Sequence, residues 1–182
     1  MIMKKKSGFT ALAIILAMLM LAACGGKTYE AVPIQEGVDK CEICNMLIKD
    51  DEFAVQLLTK EGKVYKFDDI GCMNEWKTKN ASVPVTIEFV RDHASKMWID
   101  LEKAYFAYDA SYKTPMAYGL VSFKDKASAE KYISEQGKGK LLSAADLKSH
   151  AWERNKAGMD MHHGEGHEQK AHSETDKKGS SH

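Results

Sequence analysis

The chain lacks any surplus of charge. Its 26 basic and 26 acidic side chains cancel, and without a basic excess there is no electrostatic footing for nucleic acid. It also lacks a nucleophile paired with a general base, a glycine-rich phosphate loop and the paired-carboxylate spacing of acid–base enzymes, so nothing points to hydrolysis or phosphoryl transfer. A long apolar run is missing too: the longest, "FTALAIILAMLMLAA" at residues 9–23, falls short of the ~20 residues that a membrane-spanning helix needs. Cysteine is scarce, with four in 182 residues, and the positions of those four hold most of the chemistry legible in this chain.

The apolar run follows Lys4, Lys5 and Lys6 and ends in "LAAC", Leu21 to Cys24. A positive start, a short apolar middle and small residues before a cut describe a secretory signal. Leu-Ala-Ala-Cys further resembles a bacterial lipobox, which makes Cys24 the lipid-bearing first residue of the mature protein. Loss of residues 1–23 removes three lysines and no acid, leaving 23 basic against 26 acidic side chains. The expected product is exported, anchored by lipid to a bacterial membrane, and faces the periplasm or the cell exterior.

Residues 24–37 contain glycine and proline without a sustained apolar period, and read as a tether. Residues 155–182 offer no large apolar side chain beyond Met159 and Met161, too little to offset the entropy of ordering. A single folded domain is expected over 38–154. Inside it "EFAVQLLT" and "VYKFDD" form a hairpin around "KEGK". Asp68 or Asp69 caps a helix over "IGCMNEWKTK". "VTIEFV", "KMWID", "KAYFAYD" and "YGLVSF" are further strands; Asp125 caps "KASAEKYISEQ" and Gly137 ends it. After a short strand "KLLS", a last helix is expected from Ser143, with Asp146 spaced to complete a capping box. Strand hairpins followed by a helix, twice, predict an α+β fold of two similar small lobes.

Once Cys24 is committed to lipid, Cys41, Cys44 and Cys72 remain. Three thiols cannot all pair within one chain, so at least one has another purpose. The segment "KCEICNMLI" admits several. As a thiol-disulfide pair, Cys41 and Cys44 have C-x-x-C spacing, yet no helix start follows to lower a thiol pKa. As structural zinc, Cys41, Cys44, Cys72 and His93 supply four ligands, without the second C-x-x-C or paired histidines usual for such sites. Cys72 also reads as a small buried hydrophobe, and His93 as a surface residue. The last option uses Met46: thiolate and thioether are soft donors suited to Cu(I), and on an extended segment Cys44 and Met46 project from one face.

"CEICNM", "YKFDDIGCMNEW", "YKTPMAYGLVSFKDKASAEKY" and "GKLLSAADL", in that order, resemble the NosL family of copper-chaperone lipoproteins. The resemblance implies an exported carrier that binds Cu(I) and passes it to nitrous-oxide reductase through that enzyme's membrane copper-maturation machinery. It implies a two-lobed α+β architecture and a C-x-M metal unit, here Cys44 and Met46. Asn45 and Ala117 stand where the family more often has glycine, which stiffens the backbone without removing a ligand.

Around that unit, Cys41 is a neighbouring thiol able to ligate copper or to pair with Cys44. Met116, on the turn after Pro115, is a candidate ligand from the second lobe. Of Asp68 and Asp69, one is expected as helix cap and the other as hydrogen-bond acceptor for a metal-site group. Met159, Met161, His162, His163 and His167 offer a looser secondary copper site in the tail. Non-enzymatic Cu(I) delivery leads; the alternative is a membrane-tethered thiol-disulfide oxidoreductase acting on a copper protein.

Overall fold

The structure, a computed structural model, describes residues 27–155. From Ala31 onward these fold as two small antiparallel sheets, each carrying one helix. The first sheet contains β1 (Val55–Thr59), β2 (Val64–Phe67), β3 (Val85–Arg91) and β4 (Trp98–Asp100), in the order β2-β1-β3-β4. Helix α1 (Ile70–Lys79) follows β2. The second sheet contains β5 (Tyr105–Tyr108), β6 (Leu120–Phe123) and β7 (Lys140–Ser143), in the order β6-β5-β7, with α2 (Lys126–Gln136) between β6 and β7.

Local chemistry accounts for most boundaries. β1 and β2 pair from Val55↔Phe67 to Leu58↔Val64, and the turn between them places Gly62 at φ 84°, a conformation open to glycine at no steric cost. Asp69 begins α1 by accepting from the Gly71 N–H at 2.8 Å. Asp125 begins α2 by accepting from the Ser128 N–H at 2.8 Å, and Gly137 ends it in the left-handed region. Burial does the rest. Trp76 of α1 lies against Tyr65, with ring centroids 4.4 Å apart, and edge-on to Phe67. Phe67, Leu57, Ile48, Met73, Val90 and Phe106 fill the main core, and Phe106 comes from the second sheet. The sheets are also joined by hydrogen bonds: the His93 N–H donates to the Ser122 carbonyl, the Ser122 hydroxyl to the Arg91 carbonyl, and the Lys124 N–H to Asp92.

Three expectations change. The stretch assigned to the tether is partly fixed: Gln56, buried in β1, exchanges two hydrogen bonds with the backbone of Val32, and Ile34 is 8% exposed in the core. A buried amide must find partners, and here it takes them from the incoming chain. At the other end Asn155 donates its N–H to the Ala117 carbonyl and its side-chain amide to the Ala110 carbonyl. The last helix is the third change. Ser143 donates both its N–H and its hydroxyl to Asp146 Oδ2, which is only the N–H half of a capping box, and a 3-10 turn, Asp146–Ser149, follows in place of a helix. The Trp152 indole donates to the Leu147 carbonyl and Arg154 to the Met116 carbonyl, and these ties draw the chain out of the helix.

Asn45 and Ala117 adopt φ 60° and 58°, so both hold a left-handed conformation that costs an L-residue roughly 1–2 kcal/mol. Asparagine tolerates it better than alanine. Ala117→Gly is therefore expected to raise stability by about 1 kcal/mol and Asn45→Gly to change it little, as read from urea midpoints.

Candidate metal centre

The segment bearing the sulfur motif turns back on itself. The Ile48 N–H donates to the Asp39 carbonyl, the Cys41 N–H to the Met46 carbonyl, and the Asn45 N–H to the Cys41 carbonyl. Lys40 bridges Leu47 above them, and Asp39 is held by the Gln35 N–H and by Lys66. Cys44 lies in the turn and Asn45 is left-handed, so Cys44 and Met46 do not share the face of an extended strand as expected. The turn directs Cys41 inward, 2% exposed, leaves Cys44 half-buried, and puts Met46 outside at 53% exposure.

The entry to α1 supplies the other half. Asp68 stands one residue before the cap and Cys72 sits in the first turn, 1% exposed. One donor atom each from Cys41, Cys44, Asp68 and Cys72 lies within 4.8 Å of every other. The Cys44 thiol donates to Asp68 Oδ2 at 3.1 Å, while Asp68 Oδ1 is buried with no partner. Such an orphaned carboxylate oxygen beside three thiols fits a cation, because an unpaired buried polar atom otherwise carries its full desolvation cost.

Hydrogen bonding and burial separate the thiols. The neighbouring Cys72 thiol, helped by the backbone N–H groups of Cys44 and Asp68, brings Cys41 down to about 7 against burial. Burial pushes Cys44 up to about 12, with the Asp68 carboxylate adding to the effect and the Met46 N–H opposing it. Cys72 is raised further. Of the three thiols, Cys41 is the one held lowest.

The paired aspartates have different tasks. Asp69 Oδ1 accepts from Gly71 and Oδ2 from the Met116 N–H at 3.0 Å, which ties the start of α1 to the second lobe. Burial pushes its carboxyl up to about 6 despite these donors, whereas Asp39 and Asp92 lie below 3.8. The native state then favours protonated Asp69: its contribution to stability is fully present below 3.8 and is lost as pH rises through about 6. In carboxyl-carbon NMR, Asp69 is expected to titrate near 6 while Asp39 and Asp92 titrate below their ordinary value.

The remaining candidates lie elsewhere. Met116 is buried with its sulfur 3.8 Å from the Arg154 guanidinium. His93, expected at the surface, is half-buried; its ring packs against Phe53, Phe123 and Tyr132 and is absent from the thiol cluster. Cys24, Met159, Met161, His162, His163 and His167 lie outside the described residues. Cys72 is the group undervalued by sequence reasoning. Asp68 stands before the cap of α1, so no helical spacing links it to Cys72 and no local signal joins the two.

The NosL family model matches residues 31–152. Among solved structures, the crystal structure of the copper chaperone NosL from Shewanella denitrificans superposes with a TM-score of 0.56 at 25% identity, over 64% of this chain and 94% of that one. No curated protein matches the sequence.

Proposed function

The chain belongs to the NosL family, and from that premise we propose that it is a membrane-anchored Cu(I) carrier that supplies copper for the maturation of nitrous-oxide reductase. The observation that carries this reading is the position of Cys44: it belongs to the thiol cluster, is its most exposed sulfur, and stands two residues from the exposed thioether of Met46. Soft sulfur donors at a surface suit an ion that must be held and then handed over by ligand exchange. Cys41 is the neighbouring thiol, and the solved relative is itself described as a copper chaperone.

In this reading Cys24 carries the lipid, the Met- and His-bearing tail gathers copper weakly, and the acceptor is the reductase's membrane copper machinery. The oxidoreductase alternative is disfavoured by the thiols themselves. A reactive C-x-x-C needs an accessible, acidified sulfur. Here the accessible one, Cys44, is pushed up to about 12, and the low one, Cys41, is shut from solvent.

The test is titration of the reduced full-length protein with Cu(I) against a competing chelator. One chelator-resistant equivalent is expected, and truncation after Asn155 should remove only weaker equivalents. Absence of resistant copper from the full-length protein would refute the carrier reading. Loss of resistant copper on truncation would move the primary site into the tail.

A further inference from the structure

Exposed apolar side chains are unevenly distributed. Of the six large ones among the described residues, Tyr29, Val32, Val38, Met46, Leu47 and Met97, five fall before residue 48. Pairing in the folded-back segment sorts them by face. Lys40 lies opposite Leu47, and the Ile48 N–H donates to the Asp39 carbonyl. Cross-strand partners share a face, as do residues two apart on extended chain. Val38, Lys40, Leu47 and Lys49 therefore look outward and are all exposed, whereas Cys41 and Ile48 are buried beneath them and Asp39 is held by Lys66. Met46 is exposed at the adjoining turn. We infer that this outer face rests on the headgroup region of an anionic phospholipid bilayer.

The chemistry of the face and its place in the chain both favour lipid over a protein partner. Lys40 and Lys49 flank the apolar side chains and form no ion pair among the described residues. Apolar tips can enter the acyl boundary while the long lysine stems carry their ammonium groups to the phosphates. Nearby acids are engaged elsewhere: Glu36 accepts from the Asp50 N–H, Asp39 pairs with Lys66, and Asp50 pairs with Arg91. The Lys66 ammonium donates both to the Pro33 carbonyl and to Asp39, so the incoming chain enters the domain at the base of this face. The place of the anchor rests on the lipoprotein reading of Cys24. On that reading eight residues separate the lipid from Val32, whose backbone is fixed by Gln56, and even fully extended they hold Val32 within roughly 30 Å of the bilayer. A face too weak to bind alone is then presented to lipid at an effective concentration on the order of millimolar.

The test removes the anchor and the metal, so its outcome is independent of lipidation at Cys24 and of the carrier reading. The reduced, metal-free chain from residue 24 onward, carrying Cys24→Ser, is mixed with vesicles of phosphatidylcholine and phosphatidylglycerol that contain a gadolinium-chelate lipid. Paramagnetic broadening of amide NMR signals is expected at residues 38–49, with the amides of α2 unaffected. Leu47→Asp should reduce that broadening at least about fivefold, and Lys40→Glu combined with Lys49→Glu should do the same. All three positions are exposed, and unshifted signals from the rest of the domain verify that the variants fold. Broadening spread evenly over the domain, broadening confined to residues beyond Asn155, or an unchanged profile in Leu47→Asp would overturn the inference. So would the absence of broadening at millimolar lipid, which would leave this face to a protein acceptor.

Discussion

Replacing Cys44 with serine is expected to lower the Cu(I) affinity of the reduced protein by roughly a hundredfold or more, about 2.7 kcal/mol. Serine keeps the size of the side chain but offers a hard, protonated oxygen in place of a soft sulfur. Cys44 is the thiol that combines membership of the cluster with access from outside, so no neighbour replaces it in ligand exchange. Met46→Leu should cost less, about tenfold, since it removes a neutral thioether and keeps the apolar volume. At its exposed position the leucine has no core to disturb, so any loss of affinity reports ligation and not folding. Chelator competition with the two variants side by side provides the measurement. Equal affinity for Met46→Leu and wild type would place copper among Cys41, Cys44 and Cys72 and exclude the thioether. Undiminished affinity of Cys44→Ser would remove the C-x-M unit from the mechanism altogether.

The largest loss of stability is expected from Gly71→Ala, about 3 kcal/mol, which for a domain of this length lowers Tm by roughly 10 °C. A Cβ at Gly71 would lie 2.1 Å from the ring of Tyr118. Tyr118 is itself buried in the main core, so the ring has no free direction in which to yield. Glycine in the first turn of α1 looks unfavourable by helix propensity, and close approach by the second lobe explains its presence. A double-mutant cycle isolates the effect: Tyr118→Ala should relieve much of the penalty of Gly71→Ala, giving a non-additive pair. Additive losses would show that the clash is absorbed elsewhere.

What the sequence determined by itself was whatever is decided within about four residues. The limits of α1 at Ile70–Lys79 and of α2 at Lys126–Gln136, the Asp125 cap, the Gly137 stop and the β1–β2 hairpin were all legible, because caps, turns and side-chain period act locally. The α+β class came from their order. The sulfur motif at Cys41 and Cys44 was visible for the same reason.

Only tertiary structure decided which donors meet. Cys44 and Asp68 are 24 residues apart in sequence, and Cys72 joins them because α1 packs its first turn against the folded-back segment. No local pattern states that Cys72 is more than a buried hydrophobe, or that Asp69 caps the helix and frees Asp68 to face the thiols. The docked Ile34 and the aborted helix after Ser143 have the same origin. In each case a polar group takes a partner distant in sequence, the buried Gln56 the Val32 carbonyl and Arg154 the Met116 carbonyl. A hydrogen bond made across the fold outweighs the few tenths of a kcal/mol by which helix propensity distinguishes one residue from another.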